Sequence, residues 1–179
     1  MPQEKPPQHE DPQALGQLTL DALADAKRLV ELLIARKHIL TTVESCTGGL
    51  FAGLITSIPG ASDVLMDAFV TYSNDAKIAL GVPQSVIDTY SVYSPETAAA
   101  MAQTGLTRST GATIGLGITG SLSRVDPANS EASKPGEVYI GIVSSDRIVS
   151  KTLHTPEPHR YTAKLHITLS TIEALLEIL

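Results

Sequence analysis

The chain has 179 residues, with 19 acids against 13 lysines and arginines, giving a formal net charge of −6. That length suits one ordinary domain, and 42% apolar against 18% charged residues is the balance of a chain that folds. An acidic chain with no Trp and 4% aromatics lacks the cationic surface that phosphate backbones need and the aromatic platform on which single strands stack, so no nucleic-acid partner is expected. The one cysteine, Cys46, excludes an internal disulfide and a cysteine-rich zinc site, and a reducing, cytoplasmic location is expected. No apolar run reaches the roughly 18 residues of a membrane span, so no membrane partner is expected either. Met1–Gln13 is polar and rich in proline and acid, without the apolar core of a signal peptide. It reads as a disordered tail, leaving 14–179 as a single domain.

From Leu15 to Lys37 the residues Leu18, Leu23, Ala26, Leu29, Val30, Leu33 and Ile34 recur at threes and fours, which predicts an amphipathic helix. Arg36, Lys37 and His38 complement the dipole at its end. Ile39–Val43 reads as a strand, Glu44–Gly49 as a small-residue turn, and Leu50–Ile58 as a helix stopped by Pro59-Gly60. Asp67–Tyr72 reads as a second strand. Ser73 caps a short helix through Leu80, with Gly81 and Pro83 beyond its end. Ser94-Pro95-Glu96 is a strong helix start, and that helix is expected to reach Arg108. Ala112–Thr119 is a third strand. Glu137–Ser144 and Ile148–His154 form a hairpin, and His159–Leu179 is a helix with Leu165, Leu169, Ile172 and Leu176 on one stripe. Interleaved helices and strands predict an α/β fold, and the late hairpin makes its mostly parallel sheet a mixed one. Gly120–Gly136 has no periodicity, and a loop of that length is functional or mobile.

The turn Glu44-Ser45-Cys46-Thr47-Gly48-Gly49 lies between a strand and a helix. A hydroxyl there could attack a carbonyl while nearby N–H groups hold the oxyanion. The same geometry could hold a phosphate, or simply cap the helix. Cys46 could be a nucleophile only with a His supplied by the fold; the plain reading is a small core residue. Tyr72 and Lys77 span the next strand-to-helix junction. A lysine that activates a serine must be neutral, which burial favours, and a tyrosine there could relay a proton. The plain reading is an exposed lysine and an edge tyrosine.

Gly115-Leu116-Gly117-Ile118-Thr119-Gly120 spells G-x-G-x-x-G, but the glycines fall inside the strand and no helix follows, so it is not a dinucleotide fingerprint. Such glycines allow close packing or the approach of a ligand, while Thr119 and Gly120 stand where a strand end lines a cleft. The five histidines are scattered, and no metal-binding motif appears. Arg160 and Lys164 could grip a phosphate or form a solvated face.

The Ser-Cys-Thr-Gly-Gly block, Pro59-Gly60-Ala61-Ser62, the run Phe69 to Lys77, Leu80-Gly81-Val82-Pro83, Ile118-Thr119-Gly120, Lys134 to Val138 and Arg160 together resemble the CinA C-terminal family. Within it, the chain is most similar to the stand-alone nicotinamide mononucleotide deamidases. The resemblance covers about Leu23 to Leu179. It implies a three-layer α/β/α fold and hydrolysis of nicotinamide mononucleotide to nicotinate mononucleotide and ammonia, without cofactor or metal. It implies Ser45 as nucleophile, Lys77 as base and Tyr72 in support. It also implies that Cys46, Thr47, Gly48, Gly49, Thr119, Gly120 and Arg160 bind a pyridine nucleotide in a homo-oligomer.

Two stretches depart from the family pattern. Ser121–Pro127 stands where a Gly- and Pro-rich stretch is usual, and Ser91-Val92-Tyr93-Ser94 replaces Gly-Ala-Val-Ser. The first falls in the expected substrate loop. The alternatives are therefore a pyridine-nucleotide-binding relative without turnover, and a structural homo-oligomer without a ligand.

Overall fold

Asp11 and Pro12 start the chain's first helix. The Asp11 carboxylate accepts the Gln13 amide, and Pro12 sits in the first turn, where its missing N–H costs nothing. In the computed structural model, which describes residues 11–179, this helix, α1, spans Pro12–Arg36. The expected tail is thus corrected at residues 11–13, and its remainder lies outside the described residues.

Next come β1 (Leu40–Glu44), α2 (Leu50–Thr56), β2 (Leu65–Val70), α3 (Asn74–Leu80), α4 (Gln84–Tyr90), α5 (Pro95–Arg108) and β3 (Ile114–Ser121). The hairpin β4 (Glu137–Ser144) and β5 (Ile148–His154) follows, and α6 (Arg160–Ile178) ends the series. Caps account for the sharpest boundaries. Ser73 accepts the Ala76 amide ahead of α3, and Ser94 accepts the Thr97 amide ahead of α5. The helix α4 has no such side-chain cap and no apolar period long enough to announce it. β2 begins and ends earlier than the expected Asp67–Tyr72, which leaves Thr71 and Tyr72 beyond the strand.

The sheet order is β2-β1-β3-β4-β5. β1 runs parallel to β2 and β3, while β3/β4 and β4/β5 are antiparallel. The sheet is mixed, as expected, with parallel and antiparallel ladders in equal share. Strand alternation divides the side chains between two faces. Leu40, Ile114, Leu116, Ile118, Ile140 and Ile142 bury against α1, α2 and α6. Val43 packs on the other face with Met101 of α5 and Ile87 of α4. The result is an α/β fold with helices on both faces. Among the described residues, no helix is long and apolar enough to cross a membrane.

The strand glycines bring α5 close to the sheet. A Cβ on Gly117 would lie 2.1 Å from the Ala98 carbonyl oxygen, and one on Gly115 2.3 Å from that of Ala102. Gly141 faces Gly117 across the β3/β4 ladder and meets the same helix. These contacts are backbone, so they cannot yield as a flexible side chain would. The glycine pattern therefore serves packing.

We predict that Gly117→Val lowers stability by about 3 kcal/mol or more, or prevents folding, because overpacking here meets backbone. Gly16 lies in α1 with nothing within 4 Å of a built Cβ, so Gly16→Ala should stabilise by about 0.5–1 kcal/mol. Urea unfolding of the two variants checks both signs.

Candidate active site

The parallel strands β2, β1 and β3 all end on one side of the sheet, and the connection after β1 (through α2) and that after β2 (through α3 to α5) leave on opposite faces. Such a point opens a crevice. Here it is a cleft of about 510 Å³, within the roughly 300–1,000 Å³ of small-molecule sites. Ser45 follows β1, Tyr72 follows β2, and Thr119 and Gly120 end β3; all four line the cleft, with Cys46, Lys77 and Arg160.

Backbone bonds fix the serine. The Ser45 amide donates to the Ile118 carbonyl at 2.9 Å, and the Thr71 amide donates to the Glu44 carbonyl at 2.8 Å. The sheet ladder thus continues into the turn that carries the hydroxyl. Lys77 comes from the first turns of α3. Helix side chains lean toward the helix N-terminus, which carries its amine back toward the strand ends. Lys77 is 2% exposed. Its Nζ donates to the Thr71 carbonyl at 2.9 Å and lies 3.1 Å from Ser45 Oγ.

Burial lowers the Lys77 amine from 10.5 to about 8, because an ammonium loses its hydration there. A charged Cys46 would oppose this, but burial pushes the Cys46 thiol up to about 12. It stays a neutral thiol near pH 7 and is poorly suited to attack. Arg160 adds no like-charge repulsion to this account. Its Nη2 donates to the Tyr72 hydroxyl at 2.6 Å.

The turn behind Ser45 differs from expectation. The Glu44 carboxylate is fully buried and accepts the amides of Gly49, Phe51 and Ala52 at 3.0, 3.3 and 3.0 Å. It takes the start of α2 for itself, where the dipole favours an anion. Thr47, Gly48 and Gly49, expected among the binding residues, do not line this cleft. Thr47 is fully buried, and among the described residues its hydroxyl has no hydrogen-bond partner. Gly48 and Gly49 have φ of +62° and +90°, a region that favours glycine, so they shape the turn. Gly48 also lies under the Lys164 Nζ, 3.1 Å from where a Cβ would stand.

Tyr72 is 63% exposed, with its hydroxyl on Arg160. The Tyr72 hydroxyl thus meets Arg160 at the mouth of the cleft. Arg160 and Lys164 separate, the first lining the cleft and the second covering the turn. Thr119 donates to the Val92 carbonyl at 2.8 Å, tying β3 to the α4–α5 connection.

The loop after β3 supplies much of the remaining wall, including Arg124, Asp126 and Asn129. The Asp126 carboxylate accepts the Tyr93 hydroxyl at 2.8 Å, the Asn129 side-chain amide at 2.8 Å and the Ala128 backbone amide at 3.0 Å. These bonds hold its carboxyl below the usual range. The two departures from the family pattern therefore touch each other. Sequence reading missed Glu44 and the Tyr93–Asp126 pair. Asp126-Pro127, a cap followed by proline at the first helical position, was the available signal for a turn there.

A layered α/β protein with a serine and a buried lysine where its parallel strands end is the class that fold and site define. Residues 23–179 match the CinA C-terminal domain, and the chain belongs to that family. A relative from Alkaliphilus metalliredigens, named for competence-damage induction, is 38% identical over 161 residues, 89% of this chain. A protein of the same name from Moorella thermoacetica is 47% identical over 113 residues, 62% of this chain. The chain spans 37% and 26% of the length of these two curated relatives. Among solved structures, the competence/damage inducible protein CihA of Agrobacterium tumefaciens aligns with TM-score 0.78 at 31% identity, covering 88% of this chain and 94% of that one. A CinA-superfamily protein of Escherichia coli aligns with TM-score 0.77 at 27% identity, covering 98% and 96%.

The depressed Lys77 has a consequence for stability. Its folded pKa, about 8, lies below its ordinary 10.5, so the unfolded chain binds the proton more tightly. The cost, roughly 3 kcal/mol at about 1.4 kcal/mol per unit, is full below pH 8 and fades between about 8 and 10.5. Lys77→Met should therefore be at least as stable as the parent at pH 7, with its advantage shrinking as pH approaches 10.5. Thermal unfolding of both proteins across that range measures the sign.

Proposed function

We propose that this protein is a metal-independent amidohydrolase that converts nicotinamide mononucleotide to nicotinate mononucleotide and ammonia. Ser45 is the nucleophile and Lys77 the base. The observation that carries the proposal is the 3.1 Å approach of a buried Lys77 Nζ to Ser45 Oγ. A lysine shielded from water can be neutral at working pH, and a neutral amine has one lone pair to offer. Family membership supports the same reading.

In this mechanism the Lys77 amine takes the Ser45 proton as Oγ attacks the carboxamide carbon. The carbonyl oxygen becomes an oxyanion. The Cys46 amide, next to the nucleophile, has no backbone carbonyl partner among the described residues and is the donor nearest in the chain. As the tetrahedral intermediate collapses, the Lys77 ammonium protonates the departing nitrogen, and ammonia leaves. The ester on Ser45 is then attacked by water, whose proton passes to Lys77. The acid product departs, and Ser45 regains its hydrogen. Acyl transfer of this kind asks for a nucleophile, a base and oxyanion donors. Arg160 at the cleft mouth offers a phosphate a planar cationic partner, and the neighbouring Tyr72 hydroxyl holds it in place. The same reading takes 14–179 as one domain that works in the cytoplasm as a homo-oligomer.

The test is ammonia release from nicotinamide mononucleotide. We expect kcat/KM to rise with pH through a group near 8, the value of Lys77, since that parameter reports the free enzyme. A bound phosphate stabilises the ammonium, so the group seen in kcat should lie higher. Ser45→Ala should lose about 10³-fold or more in kcat, and Lys77→Arg should be equally inert because a guanidinium stays protonated. Binding of the nucleotide without ammonia release by the parent protein would select the non-catalytic relative instead. Activity retained in Ser45→Ala but lost in Cys46→Ala would move the nucleophile to the thiol.

A further inference from the structure

The segment 122–133 forms one wall of the cleft, and its attachment is narrow. Leu122 is buried in the core at one end. Beyond it, Asp126 bonds within the segment to Ala128, Asn129 and the Ser133 hydroxyl. The Arg124 carbonyl accepts the hydroxyl of Ser121, the last residue of β3. The Tyr93 hydroxyl, bonded to the Asp126 carboxylate and also to the Ser133 hydroxyl, joins this segment to a distant part of the fold. Burial and the Asp126 carboxylate keep the Tyr93 phenol well above its usual range, so it remains a donor throughout the pH range of a hydrolase.

Two cavities meet at this wall. The cleft of about 510 Å³ holds Ser45 and Lys77, and a more open groove of about 690 Å³ runs past Tyr90 and Glu131. Asn74, Ala128 and Asn129 line both. The turn that Asp126 caps, Pro127–Asn129, is therefore the partition between them. If the turn is held, a ligand must fit within the cleft. If it is released, the cleft opens into the groove and admits a longer ligand.

We infer that Tyr93 is a specificity-determining residue: by fixing Asp126 it holds the partition closed and limits the site to a pyridine mononucleotide, excluding the dinucleotide. The substrate class rests on the proposed deamidase reading, but the latch is testable without turnover. Tyr93 acts through Asp126, so it is a positioning residue.

The experiment compares the parent, Tyr93→Phe and Asp126→Ala. Calorimetry gives Kd for nicotinamide mononucleotide and for nicotinamide adenine dinucleotide, and steady-state rates give KM and kcat for the mononucleotide. Limited trypsin digestion reports cleavage after the exposed Arg124. The parent should favour the mononucleotide. Tyr93→Phe removes one oxygen and should narrow that preference by about ten-fold, the loss of one hydrogen bond to a charged group. It should raise KM more than it lowers kcat, and it should speed cleavage after Arg124. Asp126→Ala should act in the same direction, and if it fails to fold, Tyr93→Phe decides alone. An unchanged Kd ratio in Tyr93→Phe overturns the inference, as does a parent that binds both nucleotides equally or neither. A parent that binds selectively but releases no ammonia removes the hydrolase reading and leaves the Kd ratio to judge the latch.

Discussion

A primary amine buried beside a hydroxyl is the constraint on which the site depends. The Lys77 Nζ meets the Thr71 carbonyl and the Ser45 hydroxyl, and it has exchanged water for these two oxygens. Neither carries a charge, so nothing there repays the loss of ammonium hydration. The group yields by releasing its proton more readily, near 8 rather than 10.5. The Thr71 carbonyl can still take one N–H from the neutral amine, which leaves the lone pair for the serine. Burial thus creates a base, and the loss of stability that comes with it is the cost of the site.

Everything nearby keeps that arrangement in register. The end of β1 is clamped on both sides by backbone bonds, from Thr71 to Glu44 and from Ser45 to Ile118. Glu44 then reverses the usual logic of a helix N-terminus. Such a site commonly receives an anionic ligand, but here a carboxylate of the protein fills it. The turn is held rigidly as a result, and the charge of a ligand must be met elsewhere. Arg160, steadied by Tyr72, and Arg124 are cations in the cleft wall. On the other face of the sheet, the glycines of β3 and β4 let α5 approach closely.

Much of this was legible in the sequence, for reasons that differ by residue. Ser73, Ser94 and Pro95 announce their helices because caps are local chemistry. The hairpin β4–β5 was read at its observed bounds because strands and turn residues alternate without ambiguity. The strand glycines could be kept from a dinucleotide reading because no helix follows them, but only the approach of α5 to Gly115, Gly117 and Gly141 decides for packing. Ser45 and Lys77 could be singled out by residue type and setting, but their 3.1 Å approach depends on two strands meeting, which no local pattern encodes. Glu44 escaped for a similar reason: its bonds reach 5 to 8 residues ahead through the turn and look like nothing in the sequence but an acid. The Tyr93–Asp126 contact spans 33 positions and joins two stretches noticed separately as departures from the family pattern. The folded chain makes them one feature.

The central claim is that Lys77, beside Ser45, gives up its proton far more readily than an ordinary lysine, so that a neutral amine becomes available near pH 8, and titrating that amine tests it most directly. In protein carrying isotope-labelled lysine, the Lys77 side-chain resonances can be assigned by their absence from Lys77→Met and followed by NMR from pH 6 to 11. The account predicts a midpoint near 8 in the ligand-free protein, well below the ~10.4 of a lysine in a model peptide. A Lys77 midpoint at that model-peptide value would contradict it.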